Sequence, residues 1–192
     1  MKRKRRHEYT IGSISSGTMH AEDLIPAFLS QLEHELKHGP KQDRATRKAH
    51  AALVRAITKR SDLDSAEESE EYFDSDHASD DIAALEDALE AYAAPYFYFG
   101  SHPRDGADYG FWLSESWDED FIEVDSDGDA RIRATHRAVV FDKEHADGPI
   151  LVSGTEDIPA WYRGEVAVVN DHGNVTLYNK TARKLTEIWG VV

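Results

Sequence analysis

At Pro95 the hydrophobic period of the chain changes. Before it, apolar residues recur every three or four positions, the spacing of one helix face; after it they alternate, the spacing of a strand. Leu24, Phe28, Leu32 and Leu36, with Ile25 and Leu29 beside them, form the first stripe. Small polar residues before it suit a cap, Glu22 and Asp23 suit the positive end of a helix, Pro26 fits a first turn, and Gly39-Pro40 is a stop. A second helix is expected over residues 41–60. Ala45, Ala49, Ala52, Leu53, Ala56 and Ile57 face inward in that reading, and Arg44, Arg47, Lys48, Arg55, Lys59 and Arg60 make it the one basic element. A third runs from Ile82 to Ala94, with Leu85, Leu89 and Tyr92 as its stripe.

Beyond Pro95, Tyr96–Phe99, Tyr109–Leu113, Ala130–Phe141, Glu165–Asn170, Val175–Asn179 and Leu185–Val192 read as strands. Helices first and strands afterwards predict an α+β fold, with N-terminal helices packed on a curved, mostly antiparallel sheet formed by residues 96–192. The last strand should pair within that sheet, since Ile188, Val191 and Val192 otherwise expose apolar surface at an edge. Trp112 and Trp189 fall in strands and should be buried; Trp117 and Trp161 fall in connections and are the better binding contacts. The organisation expected is one domain: a basic flexible tip at 1–10, a helical hairpin at 11–60, an acidic mobile linker at 61–81, and a helix-plus-sheet core at 82–192.

Several chemistries fall away. The chain has no cysteine, so disulfides, thiolate metal sites and thiol nucleophiles are absent together. No apolar run approaches the ~18 residues of a membrane span, and the basic start MKRKRRHEYT leads into no apolar segment, so neither a membrane helix nor a secretory signal is expected. A cytoplasmic protein is the simplest expectation. The net charge of -15 opposes any general affinity for phosphate backbones, so direct nucleic-acid binding is not expected. A solvated surface, a halophilic host and mimicry of a nucleic acid each account for such acidity. Residues 62–90 hold thirteen Asp and Glu and no Lys or Arg, and Glu67, Glu68, Glu70 and Glu71 are its densest run. A row of that kind can compete for a basic groove, so these four glutamates, with Trp117 and Trp161, are the binding candidates.

Two loops invite a catalytic or metal reading. His102, Asp105 and Asp108 (with Arg104) lie in the turn of YFYFGSHPRDGADYGFWL, and Asp171 and His172 follow Asn170 in VVNDHGNVTLY. Two His and several carboxylates suit a divalent metal or acid–base work; His102, Asp108, Asp171 and His172 are the metal candidates. Asn, Asp and Gly are equally what tight turns require. The connecting loop is expected over His102–Asp108, and its tip nears the Asn170–Gly173 turn if both hairpins point the same way. Around Asp125, Asp127, Gly128 and Asp129 a calcium loop fails at its twelfth position, where Ala134 stands in place of Glu. That stretch reads as an acidic hairpin turn. Nothing in the sequence implies a cofactor.

FGSHPRDGADYGFWL, the closing WYRGEVAVVNDHGNVTLYNKTARKLTEIWGVV and the early ISSGTMHAEDLIPAFLSQL resemble a pattern in uncharacterised proteins of bacteriophages, plasmids and integrated elements. The resemblance covers about two-thirds of the chain and leaves out the acidic stretch. It implies a mobile-element setting and carries no activity or catalytic residue. Two functions are therefore expected in competition. One is a small acidic interaction protein that blocks a host defence or nucleic-acid-binding factor through a basic surface on that partner. The other is a metal-assisted hydrolase built on His102, Asp105, Asp108 and His172.

Overall fold

The structure, a computed structural model, describes residues 9–62, 65–145 and 147–191. The cations of the first six residues lie outside the described residues. The fold is α+β, and the chain divides into two compact units, one ending at Ser114 and the other beginning at Glu115.

In the first unit, β1 (Gly12–Ser15) precedes four helices: α1 (Ala21–His38), α2 (Arg44–Ser61), α3 (Ala66–Phe73) and α4 (Asp76–Glu90). β2 (Phe97–His102) and β3 (Asp105–Leu113) follow as a hairpin, and the sheet order is β1-β3-β2. In its register Phe99 faces Phe111, and Tyr98 faces Trp112. One side of the hairpin is thereby apolar: Phe97, Phe99 and Phe111 are buried, and Phe28 of α1 meets Phe99 edge-on at 5.1 Å. Ile25, Phe28, Leu32, Ile57, Leu85, Leu89 and Phe111 are completely shielded, and each such side chain contributes about 1.5–3 kcal/mol by leaving water.

Here the structure corrects several sequence expectations. The strands reach further into the turn than expected, leaving Pro103 and Arg104 between them rather than residues 102–108. Pro26 stands at the sixth position of α1, past the first turn. Ala45, Ala49, Ala52 and Ala56 of the expected α2 stripe are exposed, whereas Ile57 is buried as expected and Val54 is buried with it. A methyl group gains little by leaving water, so the larger side chains orient the helix. Asp43 fixes its start, accepting from Ala45 N at 2.7 Å and Thr46 N at 3.1 Å. Trp112 is half-buried, its indole N–H donating to Gly100 O at 3.0 Å. Residues 12–15, read as lead-in to a helix, pair with β3 instead. That pairing depends on Gly110: a Cβ there would lie 2.1 Å from Gly12 O.

The expected mobile linker is helical on both sides of Asp74. Ser65 caps α3 by accepting from Glu68 N at 3.2 Å, and Ser75 caps α4 by accepting from Ala78 N at 3.4 Å. α4 therefore begins six residues before the expected Ile82, and its buried face runs Ala78, Asp81, Leu85, Ala88, Leu89.

The second unit is a seven-stranded open sheet without an α-helix among its described residues. Its strands are β4 (Ile122–Val124), β5 (Ala130–Ile132), β6 (Arg137–Val139), β7 (Ile150–Val152), β8 (Gly164–Val169), β9 (Val175–Lys180) and β10 (Leu185–Val191), in the order β10-β9-β8-β7-β4-β5-β6. The pairings of β7 with β4 and β8 are parallel and the rest antiparallel. A single sheet over residues 96–192 is thus corrected to two, because β2 and β3 pair with β1. The expected strand Ala130–Phe141 is two strands, turned at residues 133–136. Arg133 anchors the turn, its guanidinium 3.1 Å from Asp118 and 2.7 Å from Glu123. β10 pairs with β9 at one edge as expected, and Trp189 is 3% exposed.

Ile122, Val124, Ile150, Val152, Ile158, Tyr162 and Val166 make the core of one sheet face. Tyr162 closes it: its hydroxyl lies 2.8 Å from Gly148 O and 2.9 Å from Glu165 O, and burial pushes the phenol up to about 12. Gly164, at φ +139, leaves room for that hydroxyl, which a Cβ would approach to 2.8 Å. Among the described residues no helix is long and apolar enough to cross a membrane.

Candidate functional site

The acidic run is built mainly on two helices of the first unit, α3 and α4. Glu67, Glu68, Glu70 and Glu71 of α3 are all exposed, as are Asp74, Asp76 and Asp80. None of these seven carboxylates forms an ion pair with a cation among the described residues. Within α3, Glu67–Glu70, Glu67–Glu71 and Glu68–Glu71 are like-charged neighbours, a spacing that disfavours an isolated helix. Eight residues are also fewer than the ~12–15 at which a free helix becomes marginal in water. Tertiary contact must supply the difference.

Asp81 supplies it. The carboxylate lies on the buried face of α4, 6% exposed, one turn before Leu85. Arg60, at the end of α2, donates to both of its oxygens, the Nε bond being 2.9 Å. Tyr72 of α3 donates its hydroxyl to Asp81 Oδ2 at 2.8 Å. Three helices thus meet on one buried acid, and the charge-assisted bonds offset the cost of removing it from water. The bond to Asp81 raises the Arg60 pKa above its usual value. Burial first, and the bond to Asp81 second, push the Tyr72 phenol well above the ordinary tyrosine range. Glu86, further along α4, is also raised, by burial and then by the nearby Asp87.

Open clefts flank α3. One, of about 430 Å³, is lined by Arg60, Glu68, Glu71, Tyr72, Ser75 and His77. The other, of about 500 Å³, lies towards the start of α1 among His20, Glu22, Ser69, Glu70, Phe73 and Asp74.

The loop candidates have turn-building partners. His102 Nδ1 accepts from Arg104 N at 3.2 Å, and its ring meets Trp112 edge-on at 4.6 Å. Asp105 accepts from Ala107 N at 3.1 Å, and Asp108 accepts from Ser13 Oγ at 2.5 Å, tying the hairpin to β1. These three residues belong to the first unit, whereas Asp171 and His172 belong to the second. Asp171 and His172 are highly exposed, 3.6 Å apart, while Asn170 builds their turn by accepting from His172 N and Asn174 N. Among the described residues no three or more His, Asp or Glu side chains converge to hold a metal ion. Asp125 shapes its own turn, accepting from Asp127 N at 3.0 Å and Asp129 N at 2.8 Å.

Trp117 meets Phe121 edge-on at 5.3 Å, and Trp161 packs beside Phe141 at 5.2 Å; both are half-buried. Each has a structural contact and a remaining open side.

Sequence reasoning missed Arg60, Tyr72 and Asp81 as a unit. The signal was present at one position: Asp81 continues the apolar register of Leu85 and Leu89 backwards by a turn. A carboxylate on a core stripe demands a partner, but the partners' identities depend on how the helices pack. Comparison with known protein families, with curated proteins and with solved structures gives no match.

Proposed function

We propose that the protein is a non-enzymatic acidic interaction protein. It binds a partner with a basic surface, of the kind that otherwise holds a phosphate backbone, through the carboxylates of α3 and the start of α4. The observation that carries this reading is a helix presenting four exposed glutamates at residues 67–71, without cation partners among the described residues. Four charges over a rise of about 6 Å approach the density of a duplex, one charge per ~1.7 Å. An ordered helix holds such charges at set spacings, which a flexible chain does not, so less order is lost on binding.

The resemblance to proteins of phages and mobile elements supplies the setting: a host defence or nucleic-acid-binding factor in the cytoplasm of the host cell. Acidity elsewhere on the chain reinforces attraction at long range. Residues 115–192 carry 16 Asp and Glu against 8 Lys and Arg, so the second unit is acidic as well.

The test is affinity capture from host lysate, repeated at increasing salt and with the quadruple variant Glu67→Gln, Glu68→Gln, Glu70→Gln and Glu71→Gln. Binding should weaken steeply as salt rises, because exposed charges are screened within ~10 Å at 0.1 M. The quadruple variant should bind at least about tenfold more weakly while its thermal midpoint stays the same or rises. A partner held equally tightly by the variant and the wild type would refute the reading.

A further inference from the structure

We infer that Asp81 acts as a latch: bridging Arg60 of α2 and Tyr72 of α3, it holds α3 folded against the helices, and α3 unfolds locally when the bridge is broken.

Four observations converge on this. No described side chain of α3 is buried; Tyr72 and Phe73 are half-buried. Open clefts flank the helix, so apolar packing holds it weakly. Its glutamates repel one another along the same turn, and its length is below what sustains a helix alone. Against these stand the bonds at Asp81, whose side chain is 8% exposed while that of Arg60 is 45% exposed. A pair of this kind is weak evidence for overall stability, yet breaking it is costly because the remaining charge is left buried without its partner. Among the described residues, the charge-assisted contact of α3 to its neighbouring helices is made at this one acid, which suits an element at the low end of a protein's local stabilities. The latch rests on the proposed function only in its consequence: Asp81 would be a positioning residue for the α3 glutamates.

The experiment is backbone amide hydrogen exchange on the full chain, read fragment by fragment for the wild type, Tyr72→Phe, Asp81→Asn and Arg60→Met. Amides of residues 68–75 should exchange about tenfold faster or more in Asp81→Asn and Arg60→Met, the scale set by charge-assisted bonds. Tyr72→Phe should accelerate the same amides and no others; it removes one hydroxyl and keeps the ring, so it decides the question if Asp81→Asn does not fold. Exchange in α1, β2 and β3 should stay at the wild-type rate. Wild-type rates at residues 68–75 in a folded Tyr72→Phe or Asp81→Asn, or a uniform acceleration over the whole unit, would overturn the latch.

Binding of hexalysine, measured in parallel, separates the two proposals. If α3 exchange is unchanged while the four glutamates remain necessary for hexalysine binding, the latch fails and the binding face stands. If α3 opens on cue while hexalysine ignores the four glutamates, the latch stands and the binding face fails.

Discussion

Replacing Gly110 by Ala tests the packing of the first unit at a single atom. The added Cβ would lie 2.1 Å from Gly12 O, 2.8 Å from Gly12 C and 2.9 Å from Ser13 Cα. Unstrained contacts begin at about 3.5 Å. All three obstacles are backbone, so no rotamer change relieves the overlap and β1 must move away from β3. Overpacking of this kind costs about 1–3 kcal/mol, and a rigid obstacle places the cost at the upper end. At about 4 °C per kcal/mol for a unit of this size, the thermal midpoint should fall by roughly 10 °C. Urea unfolding followed by tryptophan fluorescence is a suitable assay, because Trp112 sits two residues away on the same strand. Gly106→Ala is the control: it lies on the same strand, and a Cβ there meets nothing within 4 Å. It should fall within ~0.5 kcal/mol of the wild type. If Gly110→Ala is as stable as this control, the close approach of β1 to β3 is not the reason glycine stands there.

The remaining predictions concern pH and the C-terminal edge. His50 has its pKa lowered, by burial first, with Asp43 opposing; its Nδ1 is 3.1 Å from the Tyr92 hydroxyl. The unfolded chain therefore takes up the proton at a higher pH than the folded one, so stability is lost as pH falls through about 6.5 towards the lower folded value. His50→Gln should reduce that slope in urea titrations between those values, and an unchanged slope would exclude His50 as its source. Truncation after Thr186 removes most of β10, including Trp189, which is 3% exposed. Losing a buried aromatic alone costs about 3–5 kcal/mol, so the second unit should lose cooperative thermal unfolding. A truncated chain with the wild-type midpoint would refute the placement of that strand.

The mechanisms that made parts of this fold legible in sequence are local. Leu24, Phe28 and Leu32 share a helix face because of the 3.6-residue period alone. Phe99 and Phe111 share a sheet face because alternation and a short turn set the hairpin register. The turns at Asp125 and Asn170 were equally readable, since their side chains bond backbone two to four residues on. Charge density misled the reading of residues 61–81, because like charges close in sequence speak against a helix only while no distant group intervenes. The order and spacing of residues along the chain by themselves determined an α+β fold, and composition excluded cysteine chemistry and marked a concentrated run of carboxylates. Only the tertiary structure decided that β1 completes the first sheet, that a second sheet begins after Ser114, and that the carboxylates of residues 67–71 stand on a helix. Arg60 and Asp81 are 21 residues apart, Ser13 and Asp108 are 95, and no local period reports contacts between residues whose separation is set by the packing of whole elements.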